Sequence, residues 1–233
     1  GVAALLVWGW LLATDRGALR VRRGDLPILA GYGLWTIALF YLTLIHGFAA
    51  AGVAVGTTVL YTAPAIVAVG AALRLGEPLT RTKTVALGLA FVGCLLAARA
   101  YAVVGAGATP VDPAGVALCA LAAVVFAGYS LWGKGMVGRY RLPTLLAYQL
   151  GFGALGLLAV KLAVSPGAWP PLPTWLAVGG YLGLVATVVP LTLYGFALRR
   201  LPASEAAILL TVEPPVAVGL AVAILGERLE PAQ

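Results

Sequence analysis

Charge is what this 233-residue chain has least of: Asp, Glu, Lys and Arg together make up 10% of it, against 62% hydrophobic residues and a mean hydropathy of +1.02. No soluble core of this size needs so much apolar side chain, so the composition places the chain in a bilayer. Histidine is nearly absent, His46 standing alone at the end of an apolar run, where a polar border residue is expected. The two cysteines, Cys94 and Cys119, lie inside apolar runs without Cys-x-x-Cys spacing, which leaves no metal cluster or disulfide framework and makes both thiols small buried hydrophobes. HExxH and GxSxG are missing, so no residue is nominated as catalytic and no cofactor is expected. GFGALG at 151–156 fits a dinucleotide pattern but sits in an apolar span with no preceding strand. GYSLWGKG at 128–135 ends in Gly135 where a phosphate loop needs Ser or Thr.

What is present is a pattern used twice. YTAPAIVAVGAALRLGEPL at 61–79 is answered 150 residues later by TVEPPVAVGLAVAILGERL at 211–229. Each copy sets a proline (Pro64, Pro214) eleven residues before Leu-Gly-Glu, which predicts an apolar helix interrupted near its middle and closed by a polar turn. Apolar runs predict seven complete spans, at about 27–46, 53–73, 84–101, 113–132, 143–164, 175–197 and 204–226, after a partial span at 1–13. Asp112-Pro113 reads as an N-cap with proline in the first turn, and Pro27 and Pro143 open two further spans. The offset puts the partner of 113–132 before Gly1 and that of 84–101 beyond Gln233. The expectation is therefore an all-α integral membrane protein of ten helices in two five-helix repeats. About eight helices are covered here, helices 1 and 10 falling outside; residues 1–102 form the first repeat and 103–233 the second.

Basic residues set the orientation, because Lys and Arg stay preferentially in cytoplasmic loops. Alternate loops hold twelve of them (Arg16, Arg20, Arg22, Arg23, Arg74, Arg81, Lys83, Lys134, Arg139, Arg141, Arg199, Arg200) against three (Arg99, Lys161, Arg228). An odd helix count per repeat then makes the second copy enter from the opposite side, so the duplication is inverted. This bias accounts for the +7 net charge without a nucleic-acid partner.

Proline in a span frees the carbonyl four residues earlier: Leu60 by Pro64, Ala186 by Pro190, Leu210 and Thr211 by Pro214 and Pro215. Freed carbonyls must face protein or a wet cavity, though a proline can also simply kink a packed helix. Thr57, Tyr61, Pro64 and Ala68 share one helix face, repeated by Ala207, Thr211, Pro214 and Val218, and this face suits either a ligand or a helix seam around Gly52-x-x-x-Gly56. Glu213 is the only acid near a span centre, and its counterpart is Ala63. A charge there costs roughly 2.5–3.5 kcal/mol, so it should face the bundle interior. It is either a protonatable or amine-binding site, or a protonated carboxyl bonded to the carbonyls loosened by Pro214 and Pro215. Trp169, Trp175 and Tyr101 read as interface anchors, while Trp35 and Tyr129 are candidates for stacking on a substrate.

The two P-x10-LGE-x-L units, the turn RTK followed by VALGLAFVGCLL at 85–96, and LRRLPASEAAILLTVEPPVA at 198–217 together resemble the drug/metabolite transporter superfamily, EamA type. The resemblance implies ten helices in inverted five-helix repeats, cytoplasmic termini, and a pathway lined chiefly by helices 1, 3, 4, 6, 8 and 9. The expectation is a multi-pass protein of a bacterial or archaeal cell membrane, a secondary transporter exporting a small amino-acid-like or drug-like metabolite by alternating access. Its substrate-binding residues are expected to be Trp35, Thr57, Tyr61, Tyr129, Thr211 and Glu213, with helix breaks at Pro64, Pro190, Pro214 and Pro215. Its partners are the lipid bilayer, the substrate and a coupling proton. A passive channel and a structural membrane subunit are the alternatives.

Overall fold

The computed structural model describes residues 1–98, 111–167 and 169–226, and among these every regular element is helical. In chain order the helices are α1 (Val2–Thr14), α2 (Leu26–Gly33), α3 (Phe40–Ala51), α4 (Val53–Leu60), α5 (Ala63–Leu75), α6 (Arg81–Ala97), α7 (Pro113–Arg139), α8 (Leu142–Val164), α9 (Leu172–Gly183), α10 (Val189–Arg200), α11 (Ala203–Leu209) and α12 (Glu213–Leu225). Six helical runs are long and apolar enough to cross a membrane: Arg23–Ala51, Val53–Leu75, Pro113–Arg139, Leu142–Val164, Leu172–Arg200 and Ala203–Ile224, with α1 a shorter apolar helix. Seven complete spans were expected. The seventh, at 84–101, is α6 at 17 residues, and Arg99 and Tyr101 lie outside the described residues, as do Glu227 and Arg228. Large apolar side chains point outward on many helices, Leu73 at 82% and Ile224 at 73% exposure, as suits surfaces that meet lipid.

Local chemistry explains where the helices begin and end. Asp112 caps α7 by accepting the Ala114 N–H at 2.9 Å, and Pro27 and Pro143 stand in the first turns of α2 and α8, where a missing N–H costs nothing. The glycine of each Leu-Gly-Glu ends its helix in the left-handed region, Gly76 at φ 68° and Gly226 at φ 67°. Gly52 at φ 81° makes the sharp step from α3 to α4.

The 150-residue offset recurs in these bounds. α5 and α12 start at 63 and 213 and end at 75 and 225, while α4 and α11 start at 53 and 203. Two wide π-type segments also obey it, Leu34–Leu39 between α2 and α3 and Leu184–Val188 between α9 and α10. The second was expected only as a proline break. Pro190 cannot donate to Ala186 and its ring crowds that carbonyl, which the wider turn relieves, yet Phe40 occupies the matching place in the first segment.

The chain folds into two compact units, each drawing on both halves of the sequence: Gly1–Leu42 with Trp132–Arg200, and Thr43–Leu131 with Leu201–Gln233. In the first unit α8 is central, packed by α1, α2, the Leu34–Leu39 segment and α10. Gly33 permits a close approach to the α8 backbone, since a Cβ there would lie 2.6 Å from the Gln149 carbonyl. Gln149, buried on α8, donates to Thr36 Oγ1 at 2.9 Å, and Thr36 passes its own proton to Tyr32 O at 2.8 Å, so the apolar interior holds a satisfied polar chain. In the second unit α11 packs on α5 and α6, and α12 on α6. The second half of α3 meets α7 at Gly47 and Gly115, and the buried Cys119 sits between turns of these helices. Both cysteines are free and buried.

Candidate functional site

The second unit carries both interrupted helices. α4 stops at Leu60; Tyr61 and Thr62 form a turn, and α5 begins at Ala63 with Pro64 in its first turn. α11 stops at Leu209, Leu210–Val212 tighten into a 3₁₀ turn, and α12 begins at Glu213 with Pro214 and Pro215 behind it. Each proline thus occupies a helix start, the position at which its missing donor and fixed φ are tolerated. Pro190, by contrast, lies inside the continuous helical run Leu172–Arg200, just after the wide segment Leu184–Val188.

The two breaks are chemically joined. Tyr61 OH donates to Glu213 Oε2 at 3.4 Å, a long bond across 152 residues of chain. Glu213 is exposed on its unit, with its carboxylate turned to the Tyr61 phenol. It stands in the first turn of α12, where the positive end of the helix dipole favours a carboxylate, and this together with the Tyr61 phenol compensates its charge. Thr211 Oγ1 gives its proton to Ile208 O at 2.6 Å and Thr62 Oγ1 to Val59 O at 2.7 Å, so both hydroxyls retain only acceptor capacity. Thr57 lies one turn before Tyr61, its carbonyl accepting the Tyr61 N–H at 3.0 Å. Tyr129 is in the same unit but buried in α7, edge-on to Phe126 with ring centroids 5.8 Å apart. Trp35 belongs to the first unit, on the Leu34–Leu39 segment. Of the six expected binding residues, Tyr61 and Glu213 are therefore joined through their side chains across the two helix breaks.

Two groups were not legible beforehand. Thr58 Oγ1, beside Thr57 on α4, is buried without a hydrogen-bond partner. The second is Glu77, in the turn that follows α5. Its carboxylate accepts the Ala203 N–H at 2.6 Å and the Ser204 N–H at 3.0 Å, and the Ser204 hydroxyl at 2.5 Å, so it caps α11, whose own N-cap position is Pro202 and has no side chain to offer. Lys83 adds bonds to Ser204 Oγ at 3.0 Å and to Glu205 at 3.2 Å. Burial pushes the Glu77 pKa up, but the Ser204 and Ala203 bonds and the Lys83 charge outweigh it and hold the carboxyl below its usual range. The available signal was a glutamate just past a helix C-terminus, where the dipole disfavours an acid and a remote partner is required.

Comparison with known proteins agrees with this architecture. The model of the EamA-like transporter family matches residues 1–99 and 113–233. A protein of Streptantibioticus cattleyicolor described as a probable terminal-alkyne amino-acid exporter is 29% identical over 97% of this chain and 75% of its own length. An "uncharacterized transporter" of Archaeoglobus fulgidus is 26% identical over 90% of this chain and 73% of its own length. A solved crystal structure aligns with a TM-score of 0.79 at 19% identity, covering 99% of this chain and 78% of that one, which bears on the fold alone. With membrane-spanning helices, paired helix breaks and a family match over nearly all of its length, the chain belongs to the EamA-like transporter family and is a multi-pass membrane transporter.

Proposed function

We propose that this transporter exports a small amphipathic metabolite bearing an amine, by alternating access about the Tyr61–Glu213 pair, with a proton as the counter-ion. The observation that carries the reading is the hydrogen bond between the two helix breaks, which sets a carboxylate where two half-helices begin. One carboxylate can hold a proton or an ammonium group but not both, so loading the amine displaces the proton and the two are exchanged. The kinship with a protein described as an amino-acid exporter favours an amino-acid-like cargo. The matched helix bounds at the 150-residue offset and the basic-loop bias favour two inverted copies, 1–102 and 103–233, rocking against each other.

The test is transport by the full-length protein in proteoliposomes, using a panel of amino-acid-like amines with and without a pH gradient. Glu213→Gln should abolish the pH-gradient dependence while the protein still purifies as a folded species, and Tyr61→Phe should weaken it. Saturable flux separates a carrier from a passive channel. Unchanged proton coupling in Glu213→Gln overturns the assignment.

A further inference from the structure

The first unit holds a second candidate binding site, at the rim of its helices. A cavity of about 630 Å³ opens between the C-terminal ends of α7 and α10 and the start of α8, lined by Lys134, Arg139, Tyr140, Arg141 and Arg199 among others. Four cations on one cavity need an explanation. Part of it is local: Lys134 donates to Leu198 O at 2.7 Å, and Arg199 to Val137 O at 3.2 Å and Tyr140 O at 2.7 Å, which satisfies carbonyls at the ends of α10 and α7. Arg139 pairs with Asp25 and Arg141 with Asp15, the latter at 2.8 Å.

These bonds do not use up the site. Four cations face two carboxylates, an excess of two positive charges, and the Arg139 and Arg141 side chains remain 54% and 67% exposed. The Tyr140 hydroxyl is enclosed between Asp25 and Arg139, close enough to both for a hydrogen bond but without one of ordinary geometry to either. Exposed guanidinium groups can exchange a carboxylate for a phosphate, which they grip in the same two-pronged way, and a phosphate oxygen that displaces Asp25 can accept the phenol proton. All four cations belong to the basic set that the sequence assigns to the cytoplasmic side, Lys134, Arg139 and Arg199 near the ends of α7 and α10 and Arg141 just before α8, and that membrane surface carries anionic lipid.

We infer that this cavity binds the phosphodiester headgroup of an anionic phospholipid of the cytoplasmic leaflet. The Arg139 and Arg141 guanidinium groups engage the phosphate, Lys134 and Arg199 supply the background charge, and Tyr140 donates a hydrogen bond. The site needs no transport activity to be occupied.

The experiment is lipid binding to the purified full-length protein, measured by native mass spectrometry with phosphatidylglycerol or phosphatidylcholine added to a neutral detergent, with inorganic phosphate as competitor. Phosphatidylglycerol should bind and phosphatidylcholine should not. Arg139→Gln and Arg141→Gln should each weaken phosphatidylglycerol binding by about fivefold, Tyr140→Phe should weaken it without loss of folded protein, and Arg81→Gln, a basic-loop residue of the other unit, should leave it unchanged. Displacement by millimolar phosphate would make this a soluble-anion site and overturn the lipid assignment. Equal binding of both lipids, or equal losses in Arg81→Gln and the cavity variants, overturns the site itself.

Discussion

Removing the Glu77 carboxylate should loosen the start of α11. The acid accepts two backbone N–H groups and one hydroxyl and lies beside Lys83. Hydrogen bonds to a charged group contribute about 1.5–3 kcal/mol each when buried, and loss of an N-cap costs about 1–2 kcal/mol. Glu77 is only partly buried, so solvent discounts the sum, and Glu77→Ala should cost about 2–3 kcal/mol. For a chain of this size that is roughly 5–10 °C in thermal midpoint. The sign with pH follows from the lowered pKa: the stabilisation is fully present above the ordinary carboxylate range and is lost as pH falls through the folded-state value, which lies below that range. Thermal unfolding of the detergent-solubilised protein at pH 7 and in that acid window, with hydrogen exchange on peptides covering 200–212, reads both effects. Glu77→Ala should flatten the acid dependence as well as lower the midpoint and speed exchange at Ala203 and Ser204. A midpoint unchanged at pH 7, or faster exchange spread evenly over the unit, would refute the capping account.

Two other substitutions test the packing of the second unit. Gly115→Ala places a Cβ 2.5 Å from the Ala51 backbone nitrogen, which no rotamer change can relieve, so it should destabilise by about 1–3 kcal/mol in the same thermal assay. Thr58→Val removes a hydroxyl that has no partner while keeping the side-chain shape, and should be neutral or stabilising by up to about 1 kcal/mol; a clear loss of stability would reveal a partner for that hydroxyl.

How far the sequence could be read depends on how local the cause is. The ends of α5 and α12 were legible because proline, glycine and the 150-residue offset act within a few residues of the features they create. Asp112 was legible for the same reason. The π-type segments were not, since one has Pro190 behind it and the other Phe40, so no residue type marks the pair. The Glu77 cap joins residues 126 and 127 apart and depends on how α5 and α11 pack, which periodicity does not encode. The compact units also cut across the sequence halves, with the π-type segments in one and the interrupted helices in the other, a grouping set by tertiary packing.

The two interrupted helices share a frame but not a chemistry, and the difference bears on coupling. Positions 61 and 211 correspond, as do 63 and 213, and they hold Tyr and Thr, then Ala and Glu. The bonded pair takes Tyr61 from the first interrupted helix and Glu213 from the second, while the reciprocal positions, 211 and 63, hold Thr and Ala, neither phenol nor acid. The frame is doubled, then, and the acid is single. On the proposed reading, the proton and the amine must compete for this one carboxylate, because a second acid at position 63 would allow both to bind at once and would uncouple the exchange. Tyr61 suits the same role. A phenol 3.4 Å from the carboxylate is a weak partner that an incoming ammonium group can replace without leaving a strong bond broken.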